Sequence, residues 1–183
     1  MARVPYVESK DLPAAYKDLI PSKALNIRRA LANNPAAAQA NGDLAMYIRH
    51  KSKLDPRLRE MAILQVGYST RLAYEYVHHI EIGRQFGVSD DDIRAISDDT
   101  AGKPTKLDAL TKAVLKAARE MTDGLGISDE TYAVLQKSLS NEHIVDLVIA
   151  VAFYNATVRI LASLKVDLEP ESRHILDEFP LPR

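Results

Sequence analysis

Glu75 and His79 stand four residues apart in the stretch Tyr74-Glu75-Tyr76-Val77-His78-His79, a spacing that makes them neighbours on one side of a helix. On a wheel of about 100° per residue, the segment Leu72–Phe86 gathers Leu72, Ala73, Tyr76, Val77, Ile80 and Gly83 into one broad apolar arc, with Tyr74, Glu81 and Gln85 opposite. Glu75 and His79 do not fall on the polar side; they lie between Ile82, Phe86, Leu72 and Gly83. A carboxylate and an imidazole therefore enter apolar surroundings together, and His78, toward the polar edge, gives Glu75 a histidine on each flank. Loss of water raises the carboxylic pKa and lowers the imidazole pKa, while mutual attraction pushes each the other way, leaving both near the range where proton transfer works. That is acid–base chemistry. The alternative is a satisfied buried pair that pins two helices, since structural networks perturb pKa values as well.

Three further groups sit where polar side chains are costly. Glu60 lies on the side of Ile63, Leu64 and Gly67, so it needs a histidine, an arginine or an opening to solvent; its other reading is a first-turn acid favoured by the helix dipole. Asn155 and Arg159, one turn apart, share a face with Val148 and Ala152. An arginine there can grip a substrate carboxylate in bidentate fashion, or pair with Glu60 or a neighbouring subunit. Eight Tyr against three Phe is a high ratio, and Tyr68, Tyr74, Tyr76 and Tyr154 lie in these same segments; a buried hydroxyl needs a partner. Tyr68 and Tyr74 join Arg159 and Asn155 as candidate substrate-binding residues.

The elements that must position these groups are helices. Alanine is abundant, only seven Gly are present, and apolar residues recur at three and four rather than two, so the chain reads as all-α. Helix signals fall at Asp11–Leu19, Leu25–Ala32, Pro35–His50, Pro56–Tyr68, Leu72–Phe86, Asp90–Ser97, Leu107–Thr122, Asp129–Leu139 and Asn141–Leu164. Pro35 and Pro56 suit first helical positions behind the caps Asn34 and Asp55. Ser89 with Asp92, Ser128 with Thr131, and Ser140 offer oxygens to other unpaired N–H groups. The segment Pro56–Tyr68 is apolar nearly all round after Arg59, which places it centrally. The stretches Lys51–Asp55 and Thr100–Lys106 are polar connectors, and Asp123-Gly124-Leu125-Gly126 is a turn with a helix-ending glycine. No repeat and no low-complexity tract interrupts the pattern.

With 183 residues, one domain over 1–183 is expected, with its core at 25–167 and arms formed by the first 20 residues and the tail after Glu169. Lys plus Arg number 24 against 25 Asp plus Glu, a net charge of −1, so no global field draws the protein to nucleic acid or an anionic bilayer. The composition, 46% hydrophobic and 27% charged, is that of a soluble globule. The N-terminus carries no apolar core of signal-peptide length, and the longest apolar stretch, Ile144–Phe153, is broken by Asp146; a cytoplasmic protein is expected, with no membrane span. Cysteine is absent, which removes disulfides, thiolate metal sites and every thiol mechanism. No G-x-G-x-x-G, G-x-x-x-x-G-K or H-E-x-x-H spacing occurs. A divalent metal on Glu60, Glu75 and His79 is conceivable by ligand type only, so neither metal nor cofactor is expected.

The stretch Arg59-Glu60-Met61-Ala62-Ile63-Leu64-Gln65-Val66, followed by Tyr74-Glu75-Tyr76-Val77-His78-His79, resembles the carboxymuconolactone decarboxylase and alkylhydroperoxidase D-like (AhpD-like) family. Ile27–Pro35, Ser52–Arg57 and Tyr154-Asn155 with Arg159 extend the resemblance over most of Leu25–Asp167. It implies an all-helical fold assembled as a homotrimer or homohexamer, with a pocket around the two motif helices. The peroxidase branch carries a C-x-x-C pair on its second motif helix, a glutamate on the first, and a histidine one turn beyond the second cysteine. Here the acid matches Glu60 and the histidine His79, while the cysteine positions hold Leu72 and Glu75. The pattern is similar to the decarboxylase branch, in which the second thiol position is acidic; Tyr76 departs from the tryptophan common in relatives.

The resemblance implies a cofactor-independent lyase or isomerase acting on a small carboxylated lactone or dienoate, as in aromatic catabolism. In a carboxylated butenolide the lactone carbonyl is a vinylogous electron sink, so loss of CO2 leaves a dienolate that needs only stabilisation and a proton. His79 is then the expected proton donor, Glu75 the residue that orients it, Glu60 and His78 its supports, and Arg159 or a tyrosine hydroxyl the anchor for the substrate carboxylate. The same set can move a proton in an isomerisation without loss of CO2. A catalytically silent helical oligomer that binds a ligand or partner is the reading from a different class, and a peroxidase-like relative without the cysteines is a third.

Overall fold

The computed structural model describes residues 1–182. Nine α-helices are present among them: α1 Asn26–Leu31, α2 Pro35–His50, α3 Pro56–Ser69, α4 Ala73–Gln85, α5 Asp90–Thr100, α6 Ala109–Asp123, α7 Asp129–Leu135, α8 Asn141–Leu164 and α9 Ile175–Glu178. The first expected helix is instead a pair of short 3-10 turns, Ser9–Asp11 and Ala14–Leu19, and α7 ends at Leu135, short of the Leu139 expected from pattern. The caps are made as the sequence predicts. Asn34, Asp55, Ser89, Ser128 and Ser140 each accept a first-turn N–H, with a reciprocal capping box between Ser89 and Asp92.

Helix α3 is the axis of the molecule. Every residue from Leu58 to Tyr68 is buried, and α4, α5, α6 and α8 all pack on it. One side of the core joins Leu58, Ala62 and Val66 to Val114 and Ala118 of α6 and to Leu147, Val151 and Tyr154 of α8. The other joins Met61 and Leu64 to Tyr76, Val77 and Ile80 of α4, Ile93 and Ile96 of α5, and Ile175 and Phe179 from the C-terminal arm. A helix apolar all round must be surrounded, and the burial of α3 follows from that. By length and composition α8 is the one described helix apolar enough to span a bilayer; here Ile144, Leu147, Val151, Val158 and Leu161 face the protein core. Asp146, the interruption in its apolar run, is buried and accepts from Tyr47 Oη (3.1 Å), Ser52 Oγ (2.8 Å) and Lys53 N (2.8 Å), so it anchors the α2–α3 connector.

The geometry of α3 against α4 sets the site. Arg71 adopts a left-handed conformation (φ 56°) just past α3, with Leu72 N donating to Gly67 O (3.1 Å) and Arg71 N to Tyr68 O (3.1 Å). This is a Schellman closure made without glycine, and it reverses the chain in three residues. The helices then approach so closely that a Cβ on Gly67 would lie 3.0 Å from the backbone N and Cα of Tyr76.

The N-terminal segment and the C-terminal arm are pinned to each other. Asp167 accepts from Tyr6 Oη (3.0 Å) and Ala2 N (3.1 Å), and Glu169 accepts from Asn26 N (2.7 Å). We expect Gly67→Ala to push α4 off α3 and lower stability by about 1–3 kcal/mol, read as a lower urea midpoint; an unchanged midpoint contradicts this packing.

Candidate active site

Burial of α3 and α4 against each other brings four charged side chains into a row. Arg59 and Glu60 come from the N-terminal part of α3, Glu60 just past its first turn rather than in it, and Glu75 and His79 from α4. All four are buried: Arg59 and Glu60 are 1% exposed, Glu75 and His79 4%. Arg59 Nε donates to Glu60 Oε1 at 3.0 Å. His79 Nδ1 meets Glu60 Oε2 at 2.7 Å, and His79 Nε2 lies 3.0 Å from Glu75 Oε1. The last contact is charge against charge, because Glu75 Oε1 receives no aligned hydrogen bond. Tyr154 of α8 sets its ring edge-on to the imidazole, 4.7 Å between centroids.

Two carboxylates on one ring decide its charge. Burial works against a charged imidazole, but Glu75 and Glu60 more than offset it, and the pKa of His79 rises to about 9. The expected near-cancellation of burial and attraction is thus resolved in favour of attraction. Burial likewise pushes Glu60 up, yet His79 and Arg59 together hold it below the usual carboxylate range. Both ring nitrogens face carboxylates, so this histidine presents protons rather than a lone pair. The raised pKa favours the doubly protonated ring at neutral pH.

The Glu75–His79 pair expected from spacing is present, and Glu60 finds both a histidine and an arginine. The shorter and better aligned bond to His79 comes from Glu60, not Glu75, so the orienting carboxylate is on α3. His78 is elsewhere: its Nδ1 donates to Tyr74 O (2.7 Å) and its Nε2 lies 3.1 Å from Glu169 Oε2. Burial opposes its charged form, but Glu169 raises the His78 pKa. The face of α4 read as solvent-directed is covered by the C-terminal arm, which buries Tyr74 and His78 to 4% and 7%. Tyr74 Oη accepts from Ile27 N (3.0 Å) and donates to Glu169 Oε1 (3.1 Å).

The candidate substrate-binding residues do not converge on His79. Tyr68 Oη donates to Ser97 Oγ (3.1 Å). Asn155 Nδ2 donates to Thr122 Oγ1 (3.0 Å) and Val151 O (3.1 Å), and exposed Arg159 turns back on its own helix to Asn155 O (2.5 Å) and Oδ1 (2.9 Å). Arg159 is not the partner of Glu60; Arg59 is.

Arg49 of α2, which carries no ion pair among the described residues, is half-buried and within hydrogen-bonding reach of the Tyr154 hydroxyl. Burial and then the charges of Glu75 and Glu60 push that hydroxyl above its ordinary pKa, so it too stays protonated. Nothing in the sequence pairs Arg49 with this site, because α2 meets α8 only through tertiary packing. Arg59 did carry a signal, its adjacency to Glu60.

Two surface clefts lie along α6 and α7, one lined by Lys116, Arg119, Glu120 and Ser128, the other by Asp99, Lys112 and Thr131. Neither includes Glu75 or His79, so the pocket expected around the motif helices is not one of these clefts. Glu75 Oε2 has no hydrogen bond and is not among the sealed atoms.

Residues 35–120 match the family model "Carboxymuconolactone decarboxylase family". No curated protein matches the sequence. Among solved structures, the alkylhydroperoxidase AhpD core of an uncharacterized peroxidase-related protein from Ralstonia eutropha JMP134 superposes with a TM-score of 0.78 at 18% identity, covering 94% of this chain and 95% of that one. The debrominase Bmp8 in complex with 2,3,4-tribromopyrrole gives 0.73 at 19% identity, over 84% and 81%. A peroxidase-related protein from Silicibacter sp. TM1040 gives 0.66 at 23%, over 79% and 76%. At these identities the likeness is one of fold. Residues 35–120 thus match the carboxymuconolactone decarboxylase family model, within a cysteine-free chain whose fold is similar to that of AhpD-like proteins.

Proposed function

We propose that this protein is a cofactor-independent acid–base enzyme that decarboxylates, or isomerises by proton transfer, a small carboxylated lactone or dienoate. The observation that carries this reading is the buried His79 ring held between the carboxylates of Glu60 and Glu75, a placement that favours its protonated form. In the decarboxylation, the bond from ring carbon to carboxylate breaks, its electron pair enters the conjugated lactone carbonyl as a dienolate, and CO2 departs. The Nε2 proton of His79 then goes to carbon, and the neutral ring regains a proton from water through Glu75. Glu60 fixes the ring through Nδ1, Tyr154 donates toward the developing oxyanion, and Arg49 takes the anchoring role first expected of Arg159. The tribromopyrrole complex of the debrominase, a small planar ring on a similar fold, supports a guest of that size.

Assembly belongs to the same proposal. Leu44, Met46 and Tyr47 of α2 and Val145 of α8 are exposed, apolar side chains on the two helices that carry Arg49 and Tyr154 and suited to subunit contact. A homotrimer or homohexamer built on them would form the entrance to the site. The burial of His79, 4% exposed, favours one competing reading, a silent oligomer in which the charged row only joins α3 to α4.

Turnover separates the two. Incubation with a panel of muconolactones and related dienoates, followed by ultraviolet absorption and CO2 release, should show activity in the wild type that falls by about 10²-fold or more in Glu75→Gln and His79→Gln, with helical content and oligomer mass retained. No turnover across the panel, or activity lost only along with the oligomer, supports the silent reading.

The charge state has its own signature in stability. His79 holds its proton more tightly folded than unfolded, where its pKa is about 6.5, so its contribution is complete below about pH 6.5 and is lost as pH rises through about 9. Glu60, depressed in the fold, contributes above the ordinary carboxylate range and loses that contribution as pH falls through its lowered value. Urea unfolding between pH 6 and 9.5 should show a declining alkaline limb that is reduced in His79→Gln; equal slopes in the two proteins contradict the assignment.

A further inference from the structure

Arg59 is an expensive residue for this fold to keep. Its guanidinium is 1% exposed, stacks over the Phe86 ring at 4.7 Å, makes one hydrogen bond, to Glu60 Oε1, and leaves Nη2 sealed without a partner. A buried cation so sparsely satisfied costs more than an apolar side chain of its size would. Packing alone therefore does not account for it, and the charges of its neighbours do.

His79 is faced by Glu60 from α3, Glu75 from α4 and Tyr154 from α8, with Arg49 of α2 behind the tyrosine hydroxyl; His78 points away to Glu169. Without Arg59, two carboxylates and one imidazolium leave the buried row with a net negative charge. Low dielectric penalises that state, and the row would relieve it by binding a second proton on Glu60 or by gripping the His79 proton too tightly to release it. With Arg59 present the four groups sum to zero while only one proton is mobile.

We propose that Arg59 is a positioning residue that neutralises Glu60, so that the row is balanced with a single transferable proton on His79. It acts through Glu60 and touches no reacting atom. The inference rests on His79 being the proton donor, but its test needs no substrate, so it fails or stands independently of any turnover result.

The test is the pH titration of the His79 ring carbon and proton resonances in the wild type, in Arg59→Met, which keeps the length and apolar contact with Phe86, and in Arg59→Lys, which keeps the charge. In Arg59→Met the His79 midpoint should move to higher pH by a unit or more, a tenfold or greater rise in proton affinity, and Arg59→Lys should bring it back toward the wild type. A purely structural arginine predicts the same midpoint in both variants even if both are less stable; that result, or a midpoint that moves to lower pH, overturns the proposal. Should Arg59→Met be unfolded at neutral pH, folding should be recovered on acidification, as Glu60 takes the missing proton, and failure to fold at any pH overturns it equally.

Discussion

A protonated imidazole lodged between two carboxylates, far from water, is the constraint on which the rest of this structure depends. Each of these charges would be costly alone in an apolar interior. Together, with Arg59 closing the row, they are tolerable, and the 2.7 Å bond from His79 to Glu60 ties the start of α3 to the middle of α4. The helices can come close enough to make that bond because Gly67 carries no side chain where Tyr76 passes and because Arg71 accepts a left-handed turn. Local backbone chemistry, helix packing and charge pairing are mutually dependent here.

The sequence made most of the fold legible. Proline at first helical positions, serine, asparagine and aspartate at caps, and an apolar period of three to four located nearly every helix, and the all-round apolarity of Pro56–Tyr68 identified the central one. Within the site, the four-residue spacing placed Glu75 beside His79, and the burden of an unpaired Glu60 on an apolar face predicted that it would have a partner. These are local relations, and local relations survive in a string of residues.

What the string hid were relations created by distant segments. Tyr74 and His78 read as facing solvent on an isolated helix; the C-terminal arm covers them through Glu169, whose partners Asn26, Tyr74 and His78 are scattered along the chain. Arg159 shares its face with Asn155, and a long side chain one turn from a carbonyl and an amide satisfied itself there rather than reaching across. Arg49 meets Tyr154 only because α2 crosses α8. The order of preference between Glu60 and Glu75 as partner of His79 was likewise a matter of tertiary geometry. An amphipathic wheel shows what faces the core; it does not show which arm will pass over the other side.

The family-model match and the AhpD-like fold are compatible with several chemistries, and the absence of cysteine removes the thiol-based ones from this chain. What is left at its centre is a histidine charged at neutral pH with a carboxylate at each nitrogen, an arrangement suited to giving one proton and recovering it. The most direct measurement of that idea is deuterium incorporation: the muconolactones and dienoates incubated with the protein in D2O and followed by proton NMR. The account predicts deuterium at the carbon that receives the proton, with wild-type protein and not with His79→Gln. Substrate carbon that exchanges equally with both proteins, or with neither, contradicts it.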